Sequence, residues 1–176
     1  HDLDAWVLGQ TKKITNSVTG KVEREIDYDP VTALPTTVKS FGRLASTLSH
    51  HPDGRLHTIT DAAIKTTTFS NYKRGIPRDV EFDDNESIAG VVSDAGFLTD
   101  YTDELGNVTH YDFDALGRLT GITHPTSDSV AWTPTTITFV KQQADAYGIP
   151  EGHYKQSISA GNTRKDVYFD ALWRPI

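Results

Sequence analysis

The sequence predicts an all-β chain, a curved antiparallel sheet built from repeated β-hairpins. Three observations carry that expectation. Small residues recur at Ala33, Gly54, Gly75, Gly96 and Gly117, every 21 residues. The second residue after each is Leu or Pro: Pro35, Leu56, Pro77, Leu98 and Leu119. Segments rich in Thr, Val, Tyr, Ile and Phe fill the intervals, and these side chains suit a pleated, half-buried strand.

Each turn can be justified in order. In His51-Pro52-Asp53-Gly54, Pro52 falls where a type I turn needs φ near −65°, and Gly54 falls on the left-handed position. Arg55 follows Gly54 as Arg118 follows Gly117. Gly106-Asn107, ahead of Thr109-His110-Tyr111-Asp112-Phe113, reads as the opposite hairpin end. The segment Phe113-Asp114-Ala115-Leu116-Gly117-Arg118-Leu119 is the fullest copy. A three-residue loop there runs through a type I turn into a positive-φ residue, the place of Gly117. Asp114 and Arg118 then face each other as an opposite-charge pair. One period holds two short strands and two turns. Apolar residues three apart at Leu56/Ile59, Leu98/Tyr101 and Leu119/Ile122 predict a bulge in each returning strand.

The whole chain, 1–176, reads as one repeat region. Regular repeats cover about 20–124, an insertion about 124–165, and a final motif 166–176. Within the insertion, Phe139 to Tyr147 has apolar residues near helical spacing and stops at Gly148, so a short helix is expected there. The final motif is Tyr168-Phe169-Asp170-Ala171-Leu172-Trp173-Arg174-Pro175. Trp173 stands where the glycine would be and suits a left-handed position poorly, so a different turn is expected.

Composition narrows function. The 176 residues carry a net charge of −7, which disfavours a nucleic-acid partner. The absence of cysteine removes disulfides, thiolate metal sites and thiol nucleophiles. No apolar run is long enough for a membrane-spanning helix. Opening at His1 and closing just after a motif, the sequence reads as a piece of a longer polypeptide.

Candidate chemistry is sparse. His50, His51 and His57 flank one turn, but no third ligand for a shared face is identifiable, and neighbours on a strand point to opposite faces. The carboxylate pairs Asp83/Asp84 and Asp103/Glu104 sit in turn contexts, where aspartate accepts backbone hydrogen bonds. No nucleophile elbow, zinc-protease motif or phosphate loop occurs, so neither an enzyme nor a cofactor is expected. Trp6, Trp132 and Tyr154 are the candidates for stacking on a glycan ring. Packing within the sheet is the plainer role for aromatics.

The motif around Gly117, with Tyr111 two residues before Phe113, resembles the YD repeat of RHS proteins, whose consensus is YxYDxxGRL. Asp103-Glu104-Leu105-Gly106-Asn107-Val108-Thr109 resembles that family's D-x-x-G-N-x-T lead-in. Weaker copies surround Gly54, Gly75, Gly96 and Asp170. The resemblance implies a spiral of β-hairpins, in larger bacterial relatives a shell enclosing a C-terminal toxin, and in animal teneurins a barrel. It implies a secreted or cell-surface location. Its partners would be further repeats of the same chain or another copy joined through open sheet edges, a C-terminal toxin domain, or glycans. The residues implied to hold the turns are Gly54, Gly75, Gly96, Gly117, Asp114, Arg118, Arg55, Tyr111, Phe113 and Asp170. The function expected is architectural, a wall segment, with a carbohydrate-binding or adhesion module as the alternative. Some relatives cleave themselves at a DPxGL motif. Asp29-Pro30-Val31-Thr32-Ala33-Leu34 is only a loose echo, and that activity is not carried over.

Overall fold

A computed structural model describes residues 9–126, 130–170 and 172–176. Every regular element among them is a β-strand, every strand ladder is antiparallel, and sheet order follows sequence order. The chain divides into two units, 1–88 and 89–176.

Unit 1 contains β1 (Lys13–Thr15), β2 (Val22–Tyr28), β3 (Pro35–Ser40), β4 (Arg43–His50), β5 (Leu56–Asp61), β6 (Thr66–Ser70) and β7 (Asp79–Glu81), and ends within β8 (Ser87–Val92). Register separates two faces. Ile26 lies opposite Val38, Leu48 opposite Ile59, and Phe69 opposite Val80. The other face is a row of hydroxyls, Thr37 opposite Thr47, Thr47 opposite Thr60, and Thr60 opposite Thr66. The Thr60 and Thr66 hydroxyls are 2.8 Å apart, and those of Ser49 and Thr58 are 2.6 Å apart. Side-chain pairs of this kind are the lateral glue of a sheet.

Unit 2 takes up the rest of β8 and continues with β9 (Leu98–Thr102), β10 (Val108–Phe113), β11 (Leu119–Thr123), β12 (Thr135–Lys141), β13 (Tyr154–Ala160) and β14 (Thr163–Phe169). Its apolar face pairs Tyr111 with Ile122 and Ile137 with Ile158, while Thr136 and Thr138 oppose Ser159 and Ser157. Only Val92 and Ile137 are buried apolar side chains among the described residues. Stability therefore comes mainly from ladders, turns and lateral pairs, with little from a central core.

The ladder register slips by one residue opposite Thr36, His57, Thr99 and Thr120. These are bulges in returning strands, and they turn apolar residues three apart, such as Leu119 and Ile122, toward the same face. Two bulged threonines make the same bond: Thr36 Oγ1 donates to the Asp27 carbonyl and Thr99 Oγ1 to that of Val91, both at 3.2 Å.

The helix expected over 139–147 is absent. Phe139, Val140 and Lys141 finish strand β12, paired through Lys141 opposite Tyr154. Ala146 and Ile149 then close a two-residue turn in which Tyr147 and Gly148 have φ of 51° and 78°. The β-branched run Thr135-Thr136-Ile137-Thr138 and its pairing with β13 outweigh a short helical spacing. The expected insertion is thus more hairpin, carrying β12, β13 and the start of β14.

Candidate functional site

The feature that recurs throughout is the turn. In seven loops, starting at His51, Asp61, Phe82, Ser93, Asp103, Asp114 and Asp170, two backbone bonds repeat. The first residue's amide donates to the carbonyl four residues on, and the fourth residue's amide donates back to the first carbonyl. The fourth residue takes a left-handed conformation. It is Gly54, Ile64, Asn85, Gly96, Gly106, Gly117 and Trp173 in turn.

Where the first residue is aspartate, its side chain completes the loop. Asp114 Oδ1 accepts the amides of Leu116 and Arg118, each at 2.9 Å, and Oδ2 accepts Arg118 Nε at 2.7 Å. Asp170 repeats this with Leu172 and Arg174. Asp103 does so with Leu105 and Asn107. The amide of Arg118 beside Asp114, and that of Arg174 beside Asp170, hold these carboxyls below the usual carboxylate range. At the His51 loop, Asp53 supplies the carboxylate and Arg55 the guanidinium, which brings Asp53 down to about 2.

The arginines reach beyond their own loops. The Arg118 guanidinium lies 4.6 Å from the centre of the Phe139 ring, and that of Arg55 lies 4.8 Å from the Tyr72 ring. Each contact is a cation–π interaction that fastens a turn to a later part of the sheet, Arg118 to β12 and Arg55 to the connection after β6. Tyr72 also donates its hydroxyl to the Leu56 carbonyl at 2.6 Å.

Gly75 has φ of 81° but belongs to a two-residue turn, with Arg74 at 54° and Lys73 bonded to Ile76 in both directions. Lys73-Arg74-Gly75-Ile76-Pro77 and Ala146-Tyr147-Gly148-Ile149-Pro150 are two copies of this tip. Gly96 closes the Ser93 loop, where Ser93 Oγ stands in for the carboxylate and accepts the Phe97 amide at 3.1 Å. Phe97 stacks on Phe113 with centroids 4.8 Å apart, and Tyr111 lies on β10 opposite Ile122.

Trp173 departs from expectation. It makes the common turn with φ of 59°. Its ring stacks on Tyr154 at 4.7 Å and tilts against Phe169 at 5.8 Å, contacts that offset the backbone strain. Tyr154 is thus a packing partner. Trp132 sits in a separate pair with His124, centroids 5.8 Å apart. Trp6 lies outside the described residues.

The histidines divide by environment. The rings of His51 and His57 are 4.5 Å apart, and His51 Nε2 lies 3.0 Å from the Phe69 carbonyl. No cluster of three metal-ligating side chains occurs among the described residues. Sequence reasoning missed His110. Its Nδ1 is 2.7 Å from Asp100 Oδ1 on β9, and its Nε2 is 3.2 Å from Asp112 Oδ1. The hydrogen bond to Asp100, then the charge of both carboxylates, raises its pKa. Only the register of β9 against β10, which sets His110 opposite Asp100, reveals the triad.

The comparisons agree with this geometry. The family model described as RHS Repeat matches residues 93–129, the stretch holding the Ser93, Asp103 and Asp114 turns. No curated protein matches the chain. Among solved structures, one similar chain comes from a crystal structure of TcdB2-TccC3-Cdc42. It is 13% identical over 84% of this chain, with a TM-score of 0.55. Another comes from a Photorhabdus luminescens Tc holotoxin pore carrying a TccC3 mutation. It is 13% identical over 92% of this chain, with a TM-score of 0.58. This chain spans 9% of the length of each, and the likeness is one of fold. Residues 93–129 thus carry an RHS repeat, and the strands on either side share the hairpin fold of these Tc chains.

Proposed function

We propose that this chain is a wall segment of a larger secreted RHS/YD-repeat protein, whose hairpins encapsulate or present a C-terminal effector. The observation that carries this reading is a long hairpin meander with only Val92 and Ile137 as buried apolar residues among those described. A two-stranded hairpin is marginal alone, and a stacked array of them draws stability from its neighbours. The likeness to chains of Tc assemblies supports the same architecture. In this reading the chain performs no catalysis. Asp103, Asp114 and Asp170 close turns, His110 bonds two carboxylates, and His51 bonds a backbone carbonyl.

The test is the intact mass of the native parent polypeptide, followed by limited proteolysis. The reading expects a parent several times heavier than 19.4 kDa and a C-terminal piece that survives digestion until the wall is unfolded. A native molecule of only this size would overturn it, because so short a strip encloses nothing by itself.

A further inference from the structure

Of the five asparagines in the chain, two have a hydroxyl residue two positions later, in Asn85-Glu86-Ser87 and Asn107-Val108-Thr109. A triplet of this kind is the acceptor signal for an N-linked glycan, and it belongs on the surface, where the asparagine amide can be reached. The two triplets start at the ends of two turns of the common type, 82–86 and 103–107. The structure treats them differently.

Asn107 is built into its turn. It is half-buried, its Nδ2 donates to Asp103 Oδ2 at 3.0 Å, and its backbone amide donates to Asp103 Oδ1 at 2.7 Å. Thr109, the hydroxyl residue of the triplet, is half-buried within β10 opposite Tyr101. Reaction at Asn107 Nδ2 would first have to break the bond to Asp103.

Asn85 has no such ties. Its turn begins with Phe82 in place of an aspartate and closes through the backbone, with the Phe82 amide donating to the Glu86 carbonyl at 2.9 Å and the Asn85 amide to the Phe82 carbonyl at 3.1 Å. The Asn85 side chain is exposed and makes no hydrogen bond among the described residues. Glu86 and Ser87 are exposed as well, so the whole triplet lies open at the hairpin tip between β7 and β8. A φ of 65° accounts for an asparagine at position 85. It asks nothing of position 87: the same place in other turns holds Leu56, Thr66, Leu98, Val108 and Leu119.

We infer that Asn85 is the acceptor for an N-linked glycan, transferred by an oligosaccharyltransferase from an oligosaccharide carried on a lipid diphosphate. Asn85 Nδ2 attacks the anomeric carbon of the donor sugar and forms the new N–C bond. The bond from that carbon to the diphosphate oxygen breaks, its electron pair leaves with the lipid diphosphate, and an amide proton passes to a base of the transferase. Ser87 supplies the hydroxyl by which the transferase selects this asparagine. The attached glycan displaces no hydrogen bond of the turn. Such transfer takes place outside the cytoplasm, so in the cell the modification rests on the secreted location proposed above, whereas the reactivity of the tip does not.

The test uses the folded 176-residue chain, a purified single-subunit oligosaccharyltransferase that reads only the triplet, and its lipid-linked oligosaccharide, with intact-mass and peptide mass spectrometry as the readout. The wild type is expected to gain the mass of one oligosaccharide, carried on Asn85. Ser87→Ala should lose the gain, and so should Asn85→Gly, which keeps the left-handed turn. Ser87→Thr and Asn107→Gln should retain it. A wild type that gains no mass, a glycan on Asn107 instead of Asn85, or a gain that survives Ser87→Ala would each overturn the inference. Absence of transfer leaves the wall reading untouched, and a native parent of only 19.4 kDa leaves the acceptor assignment untouched, so the two fail separately.

Discussion

Replacing Gly117 by alanine separates two costs that a turn glycine can hide. Gly117 has φ of 77°, and an added Cβ would lie 2.5 Å from Phe97 Cζ and 3.0 Å from Cε1. The left-handed backbone costs an alanine about 1–2 kcal/mol. Relieving the overlap means moving Phe97, whose stack on Phe113 contributes about 0.5–1.5 kcal/mol. Gly117→Ala should therefore destabilise by roughly 2–3 kcal/mol. Gly106 is the internal control, with φ of 80° and nothing within 4 Å of where its Cβ would stand. Gly106→Ala should cost only the backbone share. At roughly 2–4 °C per kcal/mol for a chain of this size, thermal melts followed by circular dichroism resolve the two. Coupling supplies a sharper readout. In a Phe97→Ala background, Gly117→Ala should cost no more than Gly106→Ala does, because the overlap is gone. Equal losses for the two single variants would refute the role of Phe97. An unchanged melting temperature for both would refute the left-handed assignment itself.

Three further outcomes follow from the same geometry. Ile64→Gly should raise the melting temperature by a few degrees, about 1 kcal/mol of strain released at little loss of burial, measured against the wild type in the same scan. Asp114 has its carboxyl held low by the Arg118 amide, so its contribution is present above the ordinary 3.8 and lost as pH falls through the lower folded value. Acid titration of stability should therefore be shallower in Asp114→Asn, and a curve parallel to the wild type would contradict the bond. The pKa of His110 is raised, so its clamp on Asp100 and Asp112 is complete below 6.5 and fades as pH rises through the folded value. Proton NMR of the His110 ring should show a midpoint above 6.5 that moves back toward it in Asp100→Asn. A midpoint at the ordinary value in both proteins would exclude the clamp.

How far the site could be read depends on how local each feature is. The turn closes within five residues, so its signature sits in adjacent letters. Asp114, Gly117 and Arg118 lie close together in sequence and in space. The second row of turns was harder to see. Ile64, Asn85 and Gly106 are also 21 residues apart and all left-handed, but only one of them is a glycine. Trp173 hid its turn in the same way, since the Tyr154 stack that compensates it comes from a strand 19 residues earlier. The helical spacing around Phe139 misled for a related reason: Phe139 faces Arg118, a partner far away in sequence.

The sequence by itself determined the all-β class, the two-turn period and the bulge in the returning strand. Each follows from φ preferences and side-chain spacing inside a single hairpin. Tertiary structure decided which residues meet across strands: His110 with Asp100, Arg118 with Phe139, Trp173 with Tyr154, and the row of threonine hydroxyls. Those partners are set by ladder register. A shift of one residue exchanges the faces of a strand, and register is fixed only when neighbouring hairpins pair.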